Sequence, residues 1–422
     1  MEHTRCCVVG GGPAGVMLGL LLARAGVDVV VLEKHTSFLR DFRGDTVHPS
    51  TLRLLDELGL GPAFAALPHS VLGRMSMRIA GTDVVAADFT RLPGAHPHLA
   101  MVPQADLLGL LAEAGRAEPA FSLRMGCQVL GLLRDGERVT GVRYRDEAGE
   151  VRELPAALTV ACDGRWSTVR RALGLRLREF TVPMDVWSVR VPKTGPGDDD
   201  DGVFARFEAG QAAVTMDRGD YHQTSYLITK GQDALLRKES IAAFRVRLGS
   251  LFGWGEQRMA AVRSWDDVKL LEVTMGRLPR WHADGALCIG DAAHPMSPVG
   301  GAGVNLAVQD AVAAATLLAE PLRRGRVTPR LLAAVRRRRR LPMAAVQRSQ
   351  LGEHAMLLRP ALDGTLDRLP APLRLVRRFP ALAVATAYLG GIGLRPEHAP
   401  AFARQSTSDG PGKDPARGSH QV

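Results

Sequence analysis

The sequence predicts an α/β fold with an inserted mixed β-sheet and a C-terminal helical region. Three observations carry that prediction. A strand, a glycine-rich turn, an apolar helix and a second strand follow one another in VVGGGPAGVMLGLLLARAGVDVVVLEKH, residues 8–35. A block of strand-favouring segments occupies about Thr181 to Val273. An apolar strand, Ala286–Ile289, then returns and leads through glycines into a long helix, Leu306–Leu318.

Taken in order, Cys6–Val9 reads as a buried strand and Val16–Ala25 as a helix, with Gly26 as its stop. Asp28–Leu32 is the next strand. A second helix spans Ser50 to Leu58, started by Pro49-Ser50 and ended by Gly59. Met75–Ile79 and Val84–Phe89 flank a turn at Gly81 and read as a hairpin. Leucines at helical spacing mark Ala105 to Ala114 as a helix. From Phe121 to Val160 short strands with turns at Asp135-Gly136 and Ala148-Gly149 suggest an antiparallel layer inserted into the α/β core. The later sheet is built from Val186–Val191, Val203–Phe207, Ala213–Met216 and Gln223–Thr229, with a helical piece at Ile241–Leu251.

Composition narrows the function classes. At 422 residues and 46% apolar, the chain can bury one large core or two intimate ones. No N-terminal signal is visible, and the apolar stretch Phe379 to Leu394, broken by Pro380 and several glycines, reads as a buried helix rather than a membrane contact. Five cysteines without CxxC spacing fit buried free thiols in a cytoplasmic protein, with no metal site. The net charge of +10 owes much to Arg336 to Arg340. On a helix five consecutive arginines point in all directions, so a solvated helix with acidic neighbours is expected and nucleic acid is not. Asp198 to Asp201 reads as a solvated loop, and the polar tail after Gln405 as disordered.

The chemistry begins at Gly10, Gly12 and Gly15, the glycines of a GxGxxG that also holds Pro13 and Ala14. One glycine permits the tight turn, one lets a pyrophosphate approach the main chain, and one lets the helix pack on the sheet. The phosphates then meet free N–H groups at a helix start. Glu33, followed by Lys34, ends the next strand, where a carboxylate can accept both hydroxyls of an adenosine ribose. The pattern is a Rossmann-like dinucleotide fingerprint, and by itself it does not separate NAD from FAD.

Two further runs do. Gly290-Asp291-Ala292-Ala293-His294-Pro295-Met296-Ser297-Pro298-Val299-Gly300-Gly301-Ala302-Gly303-Val304-Asn305 resembles the second flavin-binding motif of the group A flavoprotein monooxygenases, the para-hydroxybenzoate hydroxylase-like aromatic-ring hydroxylases. Asp163-Gly164-Arg165-Trp166-Ser167-Thr168-Val169-Arg170 resembles that family's DG motif. The resemblance implies a Rossmann-like FAD-binding domain with an inserted mixed β-sheet substrate domain. It assigns Asp291 to the ribityl chain, and Pro298, Gly301, Ala302, Gly303 and Asn305 to the flavin ring or the turn that holds it. Arg43 and Gln104 would face FAD, the latter where many relatives carry arginine; Asp163 would serve FAD, the nicotinamide cofactor or the turn itself. His294 is expected to brace a turn.

Composition shifts and the resemblance together divide the chain. The FAD-binding domain takes 1–74, 98–180 and 275–340; a substrate-domain hairpin takes 75–97; a substrate-binding sheet takes 181–274; C-terminal helices take 341–404; the tail is 405–422. Tyr221, His222 and Tyr226 form a polar-aromatic cluster on one sheet strand and are the candidates for substrate contact. The implied reaction is hydroxylation of an aromatic or other bulky apolar substrate with NADH or NADPH and O2, through a flavin C4a-hydroperoxide. The nicotinamide cofactor would visit transiently, since no second GxGxxG is present. An FAD-dependent reductase or oxidase acting on a lipid or isoprenoid-like substrate would need the same FAD domain, as would an FAD-holding protein without turnover. The halogenase WxWxIP-type motif is absent. A homodimer fits the sequence as well as a monomer does.

Overall fold

Apolar strands alternating with an apolar helix build the first layer, and the elements follow in chain order. These are strand β1 (Thr4–Val9), helix α1 (Pro13–Arg24), strand β2 (Val29–Leu32) and helix α2 (Pro49–Glu57). The hairpin β3 (Arg74–Ile79) and β4 (Thr82–Asp88), helix α3 (Gln104–Arg116) and strand β5 (Phe121–Arg124) come next. A meander of β6 (Gln128–Asp135), β7 (Arg138–Arg145) and β8 (Val151–Ala161) precedes the short helix α4 (Thr168–Ala172). Then follow β9 (Met184–Pro192), β10 (Val203–Glu208), β11 (Gln211–Asp217), β12 (Tyr221–Thr229), helix α5 (Ile241–Phe252) and β13 (Lys269–Leu271). Strand β14 (Ala286–Cys288), helix α6 (Ala302–Arg323) and helix α7 (Pro329–Glu353) complete the main elements. This computed structural model describes residues 2–39, 46–193, 203–208 and 210–405. Arg43, the Asp198 to Asp201 run and the tail beyond Gln405 lie outside them.

Strands β14, β8, β1, β2 and β5 are neighbours in that order and run parallel. In β1 every side chain but Arg5 is buried, as expected of a strand covered on both faces. Strand β8 serves two layers: its C-terminal half pairs with β1, while its start pairs antiparallel with β7, which pairs with β6. The antiparallel layer expected from Phe121 to Val160 is thus narrower: Phe121–Arg124 is a parallel strand of the core, and the layer from Gln128 onward is an extension of core strand β8.

The second sheet has the order β13-β9-β12-β11-β10-β3-β4. The early hairpin joins it through a parallel pairing of β3 with β10. Strand alternation gives this sheet two faces. Trp187, Val189, Val191, Ala213 and Tyr226 pack under α5 against Phe244 and Leu248. Val186, Ala205, Phe207 and Leu227 point the other way, against Leu357 and Leu358 in the π-helical turn His354–Leu358 that continues α7.

Two expectations change. The expected buried helix across Phe379 to Leu394 is a surface layer, helix Ala381–Ala387 followed by a π-helical turn Tyr388–Ile392. Ala383, Ala387 and Gly391, four residues apart, face the protein, whereas Phe379, Tyr388, Leu389 and Leu394 are exposed. Small residues make the closer contact: a Cβ on Gly391 would lie 2.9 Å from the Phe89 ring. The five-arginine run is not simply solvated either. Arg337 and Arg340 are exposed, Arg338 pairs with Glu397, and Arg339 is 1% exposed in the core. Among the described residues one helix, Val299–Arg323, is long and apolar enough to cross a membrane, and most of it is buried in the core.

Candidate functional site

Parallel strands deliver their C-terminal ends to one edge of a sheet, and here four ends share one register row: Leu32, Val9, Ala161 and Cys288. The four loops that leave this row carry Glu33, the Gly10–Gly15 turn, Asp163 and Asp291. Each sequence motif thus arrives at the same edge. Arg170 ties two of the loops, donating to the carbonyls of Arg165 at 2.6 Å and Ala292 at 3.0 Å. Between the loops runs a cavity of about 740 Å³.

The first glycine turn is closed by contacts that leave no space. A Cβ on Gly15 would stand 1.9 Å from the Gly10 carbonyl oxygen, and one on Gly10 2.5 Å from that of Cys162. Gly10 itself holds φ +105°. Above this turn Gly12 is open, with nothing within 4 Å of its missing Cβ. Glu33 is 3% exposed; its carboxylate accepts from the N–H of Gly11 at 2.7 Å and of His35 at 3.0 Å. These bonds fix the carboxylate on the cavity wall.

Two helices begin at the cavity, and neither start is capped by a side chain. Helix α1 opens on Gly12 and Pro13. Helix α6 opens on Gly301, in left-handed conformation with φ +62°, after Gly300 with φ +73°. Their first N–H groups are without intrahelical partners and carry the positive ends of the helix dipoles. One Asp163 oxygen accepts from the N–H of Thr168 at 2.7 Å and Val169 at 3.1 Å, bracing α4, while the other is buried without a partner. Burial raises the Asp163 carboxyl above its ordinary range, against the hydrogen bonds that lower it.

Of the expected cofactor residues, Gly10, Gly12, Pro13, Ala14, Glu33, Lys34, Gln104, Asp163, Asp291, Pro298, Gly301 and Gly303 line the cavity. Gly15 and Ala302 lie behind the wall, and Asn305 is 7% exposed with its amide oxygen held by Ser50 and Thr51 of α2. Wall residues that sequence reasoning passed over include Gln128, Trp166, Arg171, Leu271 and Val273. Trp166, 59% exposed, directly follows the Asp163-Gly164-Arg165 motif and could have been found there. Leu271 and Val273 carry no such signal, because they belong to the second sheet and its exit.

The second glycine turn is held from outside. Gln350 Nε2 donates to the carbonyls of Ser297 at 2.9 Å and Val299 at 2.8 Å, and Gln347 Nε2 to that of Gly276 at 2.7 Å. His354 contacts the Ser297 hydroxyl at 2.9 Å. These three residues lie on one face of α7 and its continuation. Behind the turn Asp310, fully buried, meets His294 Nε2 at 2.5 Å, Gly290 N–H at 3.1 Å and Arg339 Nε at 2.9 Å. Burial pushes the Asp310 carboxyl up, but His294 and Arg339 outweigh it and hold it below the usual carboxylate range. Arg339 reaches Glu397 at 3.4 Å, and Arg338 caps that carboxylate at 2.6 Å. His294 therefore sits in a bracing network.

The expected substrate residues divide by strand parity. Tyr226 packs with Trp187 and Phe244 under α5, and His222 shares its face, 5.6 Å from the Trp254 ring. Both point away from the sheet face that α7 covers. Tyr221 has the opposite parity; the Arg190 guanidinium lies 5.2 Å from its ring. None of the three lines the cavity.

The donor set fits FAD: an open glycine beside an uncapped helix start, a fixed carboxylate at the end of the second strand, an unpartnered buried Asp163 oxygen, and a second uncapped helix. A family model described as FAD binding domain matches residues 3–349. The 6-methylpretetramide 4-monooxygenase of Streptomyces rimosus is 36% identical over 388 residues, 90% of this chain and 90% of that one. The structure of OxyS anhydrotetracycline hydroxylase, also from Streptomyces rimosus, superimposes with a TM-score of 0.73 at 25% identity, covering 93% of this chain and 77% of that one. The p-nitrophenol 4-monooxygenase PnpA of Pseudomonas putida DLL-E4 shares the fold, with a TM-score of 0.70 at 22% identity over 92% of this chain and 95% of that one.

Proposed function

The chain belongs to the FAD-binding family of group A flavoprotein monooxygenases, and from that premise we propose that it hydroxylates a bulky polycyclic aromatic substrate with NADH or NADPH and O2. The observation that carries this reading is the shared register row, which sends four motif-bearing loops to one cavity. Relatives that act on fused-ring tetracycline-type molecules support the substrate class.

FAD, when bound, supplies the redox and oxygen-activating chemistry. The protein's part is placement. Glu33 would accept from the adenosine ribose hydroxyls, and Gly12 with the start of α1 would receive the phosphates. The Asp163 oxygen and Asp291 would accept from the ribityl hydroxyls, and Gln104 would donate an amide hydrogen bond without ionic pull. Gly301 and Gly303, at the start of α6, would turn the positive end of that helix toward the bound ring and favour negative charge there. Arg43 lies outside the described residues and is assigned to the cofactor by the resemblance alone. The division into FAD-binding segments 1–74, 98–180 and 275–340, with 75–97 and 181–274 as the substrate unit, goes with this reading.

Substrate contact moves to the face of the second sheet opposite α5. Met75, Met216 and Gln223 have that parity, Gln223 held to Ser188 by a 2.6 Å hydrogen bond. A surface of thioethers with a few fixed polar groups suits a flat apolar ring system. The test is a screen of polycyclic phenols for stimulated NAD(P)H oxidation, with labelled dioxygen and product mass. One labelled oxygen per product is expected. Unlabelled product would give the chain to the reductase or oxidase reading.

A further inference from the structure

The residues His48-Pro49-Ser50, at the start of α2, touch two parts of the molecule that are otherwise far apart in sequence. His48 is 2% exposed; its Nδ1 lies 2.9 Å from the Gly390 carbonyl and its Nε2 3.2 Å from the Gly301 carbonyl. Ser50 repeats the pattern: its hydroxyl lies 2.9 Å from the Gly391 carbonyl and 3.0 Å from the Asn305 amide oxygen. Pro49 fills the space between, 3.2 Å from where a Cβ on Gly391 would be. Gly301 and Asn305 belong to the start of α6 at the flavin cavity. Gly390 and Gly391 belong to the C-terminal π-helical turn, whose Ile392, with Ala387 and Val384, covers Met75, Met216 and Phe89. The first two of those covered residues have the parity of the proposed substrate face.

Proton counting makes this arrangement unusual. A neutral imidazole has one N–H and one lone pair, and a hydroxyl has one proton. Each side chain therefore faces two acceptors with one proton to give. Burial pushes the His48 pKa down, which favours the neutral ring. With the proton on Nδ1, His48 holds Gly390 and sets a lone pair against the Gly301 carbonyl; with the proton on Nε2 the contacts exchange. Both states cannot be satisfied together, so the two ends are in competition.

We propose that His48 is the positioning residue that couples closure of the C-terminal cover over the substrate face to the Gly300–Gly301 turn at the cofactor, by committing one proton to one of two carbonyls. When the cover lifts, His48 and Ser50 turn their protons to the start of α6. When it closes, they return to Gly390 and Gly391 and release the Gly301 carbonyl. The link has two discrete states, which is what lets a contact at one end be read at the other. The inference rests on the FAD reading only for what lies against Gly301.

The test separates the two nitrogens. In His48→Asn the amide nitrogen stands near the Nδ1 position, and in His48→Gln near Nε2. Hydrogen exchange of the segment 381–393 is followed in the protein without FAD, FAD affinity by flavin fluorescence, and turnover with a substrate found in the screen above. His48→Asn should keep the exchange protection of the cover and weaken FAD binding about tenfold, the size of one lost buried hydrogen bond. His48→Gln should hold FAD within about twofold, speed exchange of the cover about tenfold and raise KM with kcat unchanged. Equal shifts in both variants, in the same direction, would overturn the proposal. Nitrogen NMR of the wild-type ring is independent of any variant's folding: a neutral ring supports the competition, and a doubly protonated ring ends it. Failure of wild-type protein to bind FAD would defeat the cofactor reading and leave the exchange result standing.

Discussion

The two glycine turns that bound the cavity are built in opposite ways. The turn at Gly10–Gly15 is locked by its own neighbourhood: a strand, a helix and the backbone of Cys162, with no bulky side chain between them. The turn at Gly300–Gly303 is held by side chains from far along the chain, Gln350 and His354 on one side and His48 on the other. The first is a fixed cradle. The second inherits its shape from whatever α7 and the C-terminal segment are doing, and that makes it the adjustable end of the site.

The largest effect should come from the second turn's foundation. Arg339→Met removes the cation that Asp310 and Glu397 share in the core, leaving Asp310 with His294 and Glu397 with the half-exposed Arg338, a loss of about 3 kcal/mol in stability measured by urea unfolding. Next comes the first turn. Gly15→Ala forces the Gly10 carbonyl to move, and FAD affinity by fluorescence titration should fall at least hundredfold, about 3 kcal/mol. If Gly15→Ala bound normally, the fixed-cradle description would be broken.

Glu33→Gln sharpens the same point. One amide end then faces a backbone N–H donor in place of a carboxylate oxygen, and FAD binding should weaken by about 2 kcal/mol. Gln350→Leu strips the donor from two loop carbonyls; about 1–2 kcal/mol of thermal stability and a looser flavin environment, read from the flavin absorption band, are expected. The smallest effect is pH dependence. Burial holds His48 and His354 below their ordinary pKa, so folding favours their neutral forms while the unfolded chain takes up protons near pH 6.5. Stability is then full above about pH 6.5 and falls as pH drops below it, by at most about 1.4 kcal/mol per pH unit for each group. Urea midpoints at pH 7.5, 6.5 and 5.5 should show a shallower decline in His354→Asn than in wild type.

Most of the cavity wall was legible because its residues sit where the backbone turns. Gly10, Gly12, Glu33, Asp163, Asp291 and Gly301 stand at fixed offsets from strand ends and helix starts, and those offsets are written in the order of residues. The faces of the second sheet were not legible for the converse reason. Strand parity put Tyr226 and His222 under α5, and parity against a partner helix is decided only when α5 and α7 choose their faces of the sheet. Asn305 shows the same divide within one motif: its position is at a helix start, yet its amide is taken by Ser50 and Thr51 across the packing with α2.

The sequence by itself determined the α/β class, the strand–turn–helix unit, the glycines that cannot carry a side chain and the acid that follows the second strand. Most of these depend on local backbone conformation and on contacts within a few tens of residues; Gly10 is the exception, since the carbonyl that excludes its side chain belongs to Cys162. Only the tertiary structure decided that Phe379 to Leu394 lies on the surface, that Arg339 is buried among carboxylates and that His48 faces two carbonyls. Those outcomes depend on which side chains meet after distant segments pack, and burial and shared protons are properties of the meeting, not of either partner alone.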